Sequence, residues 1–209
     1  MHKICLTLLL IILNNACTKA FGQFRQWESV VVPGQPWKYS IPNGTSADWT
    51  LLNFDDSSWS EGNAGIGYGD DDDETIISPT IALFMRKTFE IQDVSLISRA
   101  VLDIDYDDSF VAYINGIEIA RANVSGTPPS FMAFADNEHE AQMYQGGLPD
   151  RFILSNSEIF GLLNQGNNIL AIQVHNVTSN SSDMTVRPFL FLGINDPSFS
   201  YIQPPTWFT

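Results

Sequence analysis

The segment SFVAYINGIEIARA, residues 109–122, constrains the fold more than any other stretch of the chain. Two β-rich runs flank Asn115-Gly116, a pair that tolerates positive φ at both central positions of a type I′ hairpin turn. Around this hairpin the period-of-two signal recurs. In RAVLDIDY (99–106), Leu102, Ile104 and Tyr106 fall on one face, and Val101, Asp103 and Asp105 on the other, which predicts a half-buried strand. Further strands are predicted at LFMRKTFEI (83–91), DRFILS (150–155), NNILAIQVHN (167–176) and RPFLFLGI (187–194), with turn residues between them. One short helix is predicted in SNSEIFGLLNQGNN (155–168), with Ser157 as N-cap, Ile159, Leu162 and Leu163 as its apolar side, and Gly166 as terminator. Many strands without alternating helices indicate an all-β sandwich or barrel.

The first residues read as a leader rather than as fold. A basic start at Lys3, an apolar run from Ile4 to Leu13 and small residues at Ala20 and Gly22 match a signal peptide cleaved after Gly22. The run is too short for the roughly 20 residues of a spanning helix. Cys17 offers a rival reading as a lipid-anchored residue, although the preceding NNA lacks the usual leucine. Both cysteines, Cys5 and Cys17, lie in this leader, so cleavage leaves an exported chain without a disulfide. Of 209 residues, 187 remain after those 22 are removed, a size that suits one all-β domain over 23–195. The stretch 196–209 is Pro-rich, leaves the strand pattern and reads as a linker. Loss of Lys3 and Lys19 leaves 8 basic residues against 24 acidic ones, a net charge of −16. Such a surface repels nucleic acid and anionic membranes but suits neutral ligands, cations or a cationic partner. A secreted or cell-surface monomer is expected.

Several segments carry a resemblance when taken in order. WTLLNFDDSSW (49–59) has the W-x4-FDDSSW pattern, followed by FMRKTFEI, YDDSFVAYINGIEIARAN, NNILAIQVHN and SSDMTVRPFLFLG. Together they resemble galactose-binding-like jelly-roll domains, and most closely the kind found beside CotH-type kinase and lamin-tail domains in secreted Bacteroidetes proteins. The resemblance runs from Trp27 to Asn195 and implies a β-sandwich of about eight strands in two sheets. It also implies loops at one end that bind sugars, and often a structural calcium.

The candidate chemistry is acidic. In GIGYGDDDDETII (65–77) three alternate glycines lead into four aspartates. Calcium takes hard oxygen ligands, and a glycine-rich loop can fold carboxylates around it. Asp70, Asp72 and Asp73 are the candidate ligands, joined by Asp107 or Asp108; the alternatives are a solvated acidic loop and direct contact with a ligand. The run does not fit an EF-hand: counted from Asp70, position 6 is Thr75 and position 12 is Ile81. The glycines are no dinucleotide fingerprint, because no strand-to-helix unit surrounds them. In DIDYDD, Asp103, Asp105 and Asp107 share a face at nearly 7 Å spacing, so a straight row cannot converge on one ion. Asp107 and Asp108 lie where the strand ends, and a bend there can turn them together. Asp55, Asp56, Ser57 and Ser58 suit Asx and Ser turns, with Trp49, Phe54 and Trp59 pinning them to the core or offering a sugar platform. His139 and His175 do not make a zinc pattern. Asn176, Ser182 and Asp183 sit in a loop whose polar groups suit a sugar hydroxyl or plain turn chemistry.

No nucleophile elbow, Walker or zincin motif occurs, and no catalytic role is expected. Two functions follow. One is a non-catalytic carbohydrate-binding-like accessory module, with Trp59, Asp107, Asp108, Asn176 and Asp183 as ligand residues and a glycan or cell-surface polysaccharide as partner. The other is a structural or interaction module that positions a neighbouring domain without sugar.

Overall fold

The Asn115-Gly116 pair makes the turn that its sequence predicts. Both residues have positive φ, 51° and 87°. The computed structural model describes residues 26–44, 48–69 and 71–196. The leader, the tail beyond Asp196 and Asp70 lie outside the described residues. In chain order the strands are β1 (Gln26–Val31), β2 (Pro36–Ser40), β3 (Ser60–Asn63), β4 (Ile66–Gly67), β5 (Thr75–Ile76) and β6 (Ala82–Ile91). They continue with β7 (Ile97–Tyr106), β8 (Ser109–Ile114), β9 (Ile117–Ala122), β10 (Asp150–Leu154), β11 (Gly166–His175) and β12 (Val186–Ile194).

Two antiparallel sheets carry the fold. The smaller has the order β1-β12-β7-β10, and the larger β3-β2-β6-β11-β8-β9. The two-residue strands β4 and β5 form a separate parallel pair. Among the described residues this is the expected all-β sandwich, with ten strands in the two sheets against an expectation of about eight. The core lies between the sheets. Leu102, Ile104, Leu190 and Leu192 from the smaller sheet share one buried cluster with Leu83, Met85, Phe110, Leu170 and Ile172 from the larger.

The outer faces are covered too. On the larger sheet, Phe84, Val111, Tyr113 and Ala171 pack under Trp49, Phe54, Trp59 and Phe131 from two loops. On the smaller sheet, Val101, Phe189 and Phe191 pack with Trp27 and Met143. The half-buried reading of residues 99–106 is therefore corrected: Asp103 and Asp105 are buried, because each carboxylate has found partners. The helix α1 is one turn, Asn156–Ile159, capped by Ser155 rather than Ser157. Glu158 accepts hydrogen bonds from the Ser155 N–H at 2.7 Å and from its Oγ at 2.6 Å. It ends at Phe160, before Gly161 at φ 78°, and Gly166 instead opens β11.

Asn115 does more than turn the chain. Its Nδ2 donates to Leu162 O and Asn168 Oδ1, both at 2.8 Å, and its Oδ1 accepts from Ile169 N at 3.0 Å. At Gly116 an added Cβ would lie 2.5 Å from Leu51 Cδ2. Gly116→Val thus meets both a φ that β-branched residues resist and a packed neighbour. A loss on the order of 1 kcal/mol or more is expected in denaturant unfolding; an unchanged midpoint would contradict the turn.

Candidate functional site

The six residues Asp103 to Asp108 explain how the acidic end is built. Asp103 forms a forked pair with Arg151, Nε to Oδ1 at 2.8 Å and Nη2 to Oδ2 at 2.9 Å. Asp105 accepts the N–H groups of Gln142 at 2.7 Å and Met143 at 2.9 Å. Asp108 accepts the N–H of His139 at 2.9 Å on one oxygen and that of Val177 at 2.8 Å on the other. Charge-assisted bonds of this type are the strong class. Asp105 and Asp108 therefore clamp the loop 139–143 against the end of β7, and His139 stacks on Tyr106 with centroids 4.1 Å apart. Glu140 sits in the middle of that clamped loop.

A second wall comes from the glycine-rich segment. Tyr68 pairs with Met184 through two backbone bonds of 2.9 Å. The approach is close: a Cβ on Gly67 would lie 1.8 Å from Met184 O, and one on Gly69 2.4 Å from Asp183 Cβ. Gly67 and Gly69 have no room for a side chain because the loop bearing Asp183 lies against their backbone. Behind them, Gly65 O accepts from Glu74 N and Thr75 N at 3.0 Å, which folds the aspartate run back on itself.

Three carboxylates meet between these walls. Asp107, Glu140 and Asp183 each place an oxygen within 4.8 Å of the other two. They come from three separate segments, and their burial grades from buried Asp107 to exposed Glu140. The surroundings disfavour negative charge, through burial first and like charge second. The Glu140 carboxyl is pushed up by burial first, then by Asp183, Asp108 and Glu138. The Tyr68 hydroxyl is pushed up by burial, with Asp183 and Asp107 adding to it. A divalent cation relieves such repulsion, and three carboxylates with water form a hard oxygen site of the type calcium or magnesium accepts. This group can hold a metal ion.

The sequence-derived candidates are thus divided. Asp107 and Asp183 come together, and Glu140, which no sequence pattern marks, completes the set. Asp108 adjoins them, but its carboxylate is spent on backbone N–H groups. Asn176 is buried below, donating to Tyr68 Oη at 2.7 Å and Thr80 O at 2.9 Å. Trp59 is elsewhere, against Trp49 and Phe54 on the larger sheet. Asp73 accepts from Thr185 Oγ1 at 2.5 Å, and Asp72 O accepts from Arg187 Nη2 at 2.7 Å. The Asp72 carboxyl is pushed up by burial, against the pull of Arg187 and with Asp105 and Asp183 adding to the rise. Asp72 and Asp73 therefore tie the loop to the sandwich, beside the trio rather than in it. The FDDSSW turn is structural as built: Asp55 Oδ1 accepts from Ser57 N at 3.0 Å, and Asp56 pairs with Arg86 at 2.7 Å. No helix among the described residues is long and apolar enough to cross a membrane.

No protein-family model matches the chain, and no curated protein matches its sequence. Solved structures match its shape. A β-glucuronidase of Bacteroides uniformis aligns with a TM-score of 0.50 and 14% identity, over 80% of this chain and 18% of that one. A glycosyl hydrolase family 2 member from Bacteroides cellulosilyticus aligns at 0.48 with 17% identity, over 82% of this chain and 21% of that one. At this identity the B. uniformis likeness establishes the sandwich fold alone, and the chain spans about a fifth of these relatives' length.

Proposed function

We propose that this protein is a secreted, non-catalytic, carbohydrate-binding-like accessory module whose binding end is the acidic loop end, ordered by calcium. The observation that carries the reading is the convergence of Asp107, Glu140 and Asp183 from three clamped segments. A cation held there fixes the loops around it and presents an oxygen-rich, uncharged or weakly charged surface to sugar hydroxyls. The module reading is supported by size, since the fold corresponds to a small part of much larger glycosidase chains. The neighbouring domain that such a module serves is of the CotH-type kinase or lamin-tail kind.

A glycan array tests this. Binding of at least one glycan by the full chain in calcium, lost in chelator and in Asp183→Ala, is the expected result. If every glycan bound in calcium is bound equally in chelator, the role of the cation is overturned. Silence on every glycan, with the fold intact, favours a structural or interaction module that positions a neighbour without sugar.

A further inference from the structure

The outer face of the larger sheet holds a second feature, away from the acidic end. A cleft of about 730 Å³ opens there, with Trp49, Phe84 and Tyr113 as its aromatic lining, Pro128 and Pro129 as a wall, and Gln173 and Glu118 among its polar groups. Ligand sites of this kind run from about 300 to 1,000 Å³, mostly apolar with a few placed polar groups. Its walls are fixed on both sides. The 49–59 side is held by Arg86, which donates to Trp49 O and Leu51 O and pairs with Asp56. The other side is held by Gln173 Nε2, which donates to Pro129 O at 3.2 Å, and by His175 Nδ1 on Ala133 O at 2.9 Å.

One group in the cleft lacks an answer within the protein. Tyr113 is 6% exposed, and its hydroxyl has no hydrogen-bond partner among the described residues. A buried, unpaired hydroxyl costs about 1–3 kcal/mol, so a ligand that accepts from it recovers that loss. The hydroxyl stays protonated, pushed up to about 12 by burial and then by Glu118. Charge selects the ligand further. Glu118 is already held in a fork by Arg121 at 2.6 and 2.7 Å. The cleft lining therefore offers an anion no free cation, and the whole chain is at −14.

The geometry points to this cleft as a binding site for a neutral pyranose, a sugar chain end or short neutral oligosaccharide that lays its apolar face on the aromatic lining and accepts a hydrogen bond from Tyr113. The inference rests on the carbohydrate reading for its ligand class, but places a site apart from the cation.

NMR titration of the ¹⁵N-labelled full chain with neutral glucosides, galactosides and mannosides, in chelator, tests it. Expected are shifts of the Trp49 indole N–H and of the Thr50, Gly116 and Gln173 amides. Tyr113→Phe should bind about tenfold more weakly while melting no lower than the parent, since it removes a hydroxyl without a partner. Unchanged affinity in Tyr113→Phe overturns the assignment. Glycoside shifts that are confined to the Asp107, Glu140 and Asp183 segments, in a parallel titration with calcium present, overturn it too, yet leave the module reading standing. Silence at both places removes both.

Discussion

Replacing Arg86 by methionine is expected to destabilise the protein by about 3 kcal/mol or more, one of the largest single-residue effects in the chain. Arg86 lies on β6 with its side chain 2% exposed. It pairs with Asp56, donates to the carbonyls of Trp49 and Leu51, and sits 5.1 Å from the Phe54 ring centroid. Methionine keeps much of the volume but leaves the Trp49 carbonyl and the Asp56 carboxylate without the Arg86 bonds, and the Leu51 carbonyl with only its bond from Phe54 N. Asp56 is 26% exposed and can rehydrate in part, which sets the loss at the low end of the usual 3–5 kcal/mol for breaking a buried pair. For a domain of this size the melting point should fall by roughly 6–12 °C. A fall under about 2 °C would show that the aromatic stack of Trp49 on Phe84, centroids 4.3 Å apart, holds the loop alone.

The second large effect is with pH. His175 is fully buried, donates from one ring nitrogen to Ala133 O, and its Nε2 has no partner among the described residues. Burial lowers its pKa from 6.5 to about 4. The sign follows from proton binding. Below pH 6.5 the unfolded chain takes up a proton that the folded one refuses, so stability falls as pH drops towards 4. The loss reaches about 3 kcal/mol near pH 4 and is absent above 7. Glu140 and Asp72, both pushed up, act in the opposite sense, since their protonation favours the folded state. Comparison with His175→Asn, which preserves a donor towards Ala133, isolates the histidine. The gap between the two stability profiles should change by about 3 kcal/mol between pH 7 and 4; parallel profiles would contradict the assignment.

The later strands were legible because they are long and regular: β6, β7, β11 and β12 each fall within a residue or two of their sequence signals. The early strands were not. β3 is SEGN, exposed and polar at a sheet edge, and β4 and β5 are two residues each. Such pieces exist through tertiary pairing and carry no periodicity. The burial of Asp103 and Asp105 was hidden for a related reason, since it depends on Arg151 and on the loop at 142–143, whose approach no local pattern announces. At the site, Asp107 and Asp183 were singled out as polar loop residues. Glu140 carries no such signal, because DNEHEAQ (136–142) is an ordinary polar loop by its sequence; only the clamping of that loop by Asp105 and Asp108 gives Glu140 a place. Within the aspartate run, the most conspicuous acidic signal, Asp72 through its backbone carbonyl and Asp73 through its carboxylate tie their loop to the sandwich.

Calorimetric titration of calcium into the chelator-treated full chain decides whether the acidic end holds a cation. If Asp107, Glu140 and Asp183 form one cation site, the titration shows a single site per chain, and Asp183→Ala abolishes it while keeping the fold. Calcium at one hundred times its dissociation constant then raises stability by about 2.7 kcal/mol. An absence of heat, with melting curves that coincide in calcium and in chelator, would contradict the claim and leave the acidic end as a solvated surface.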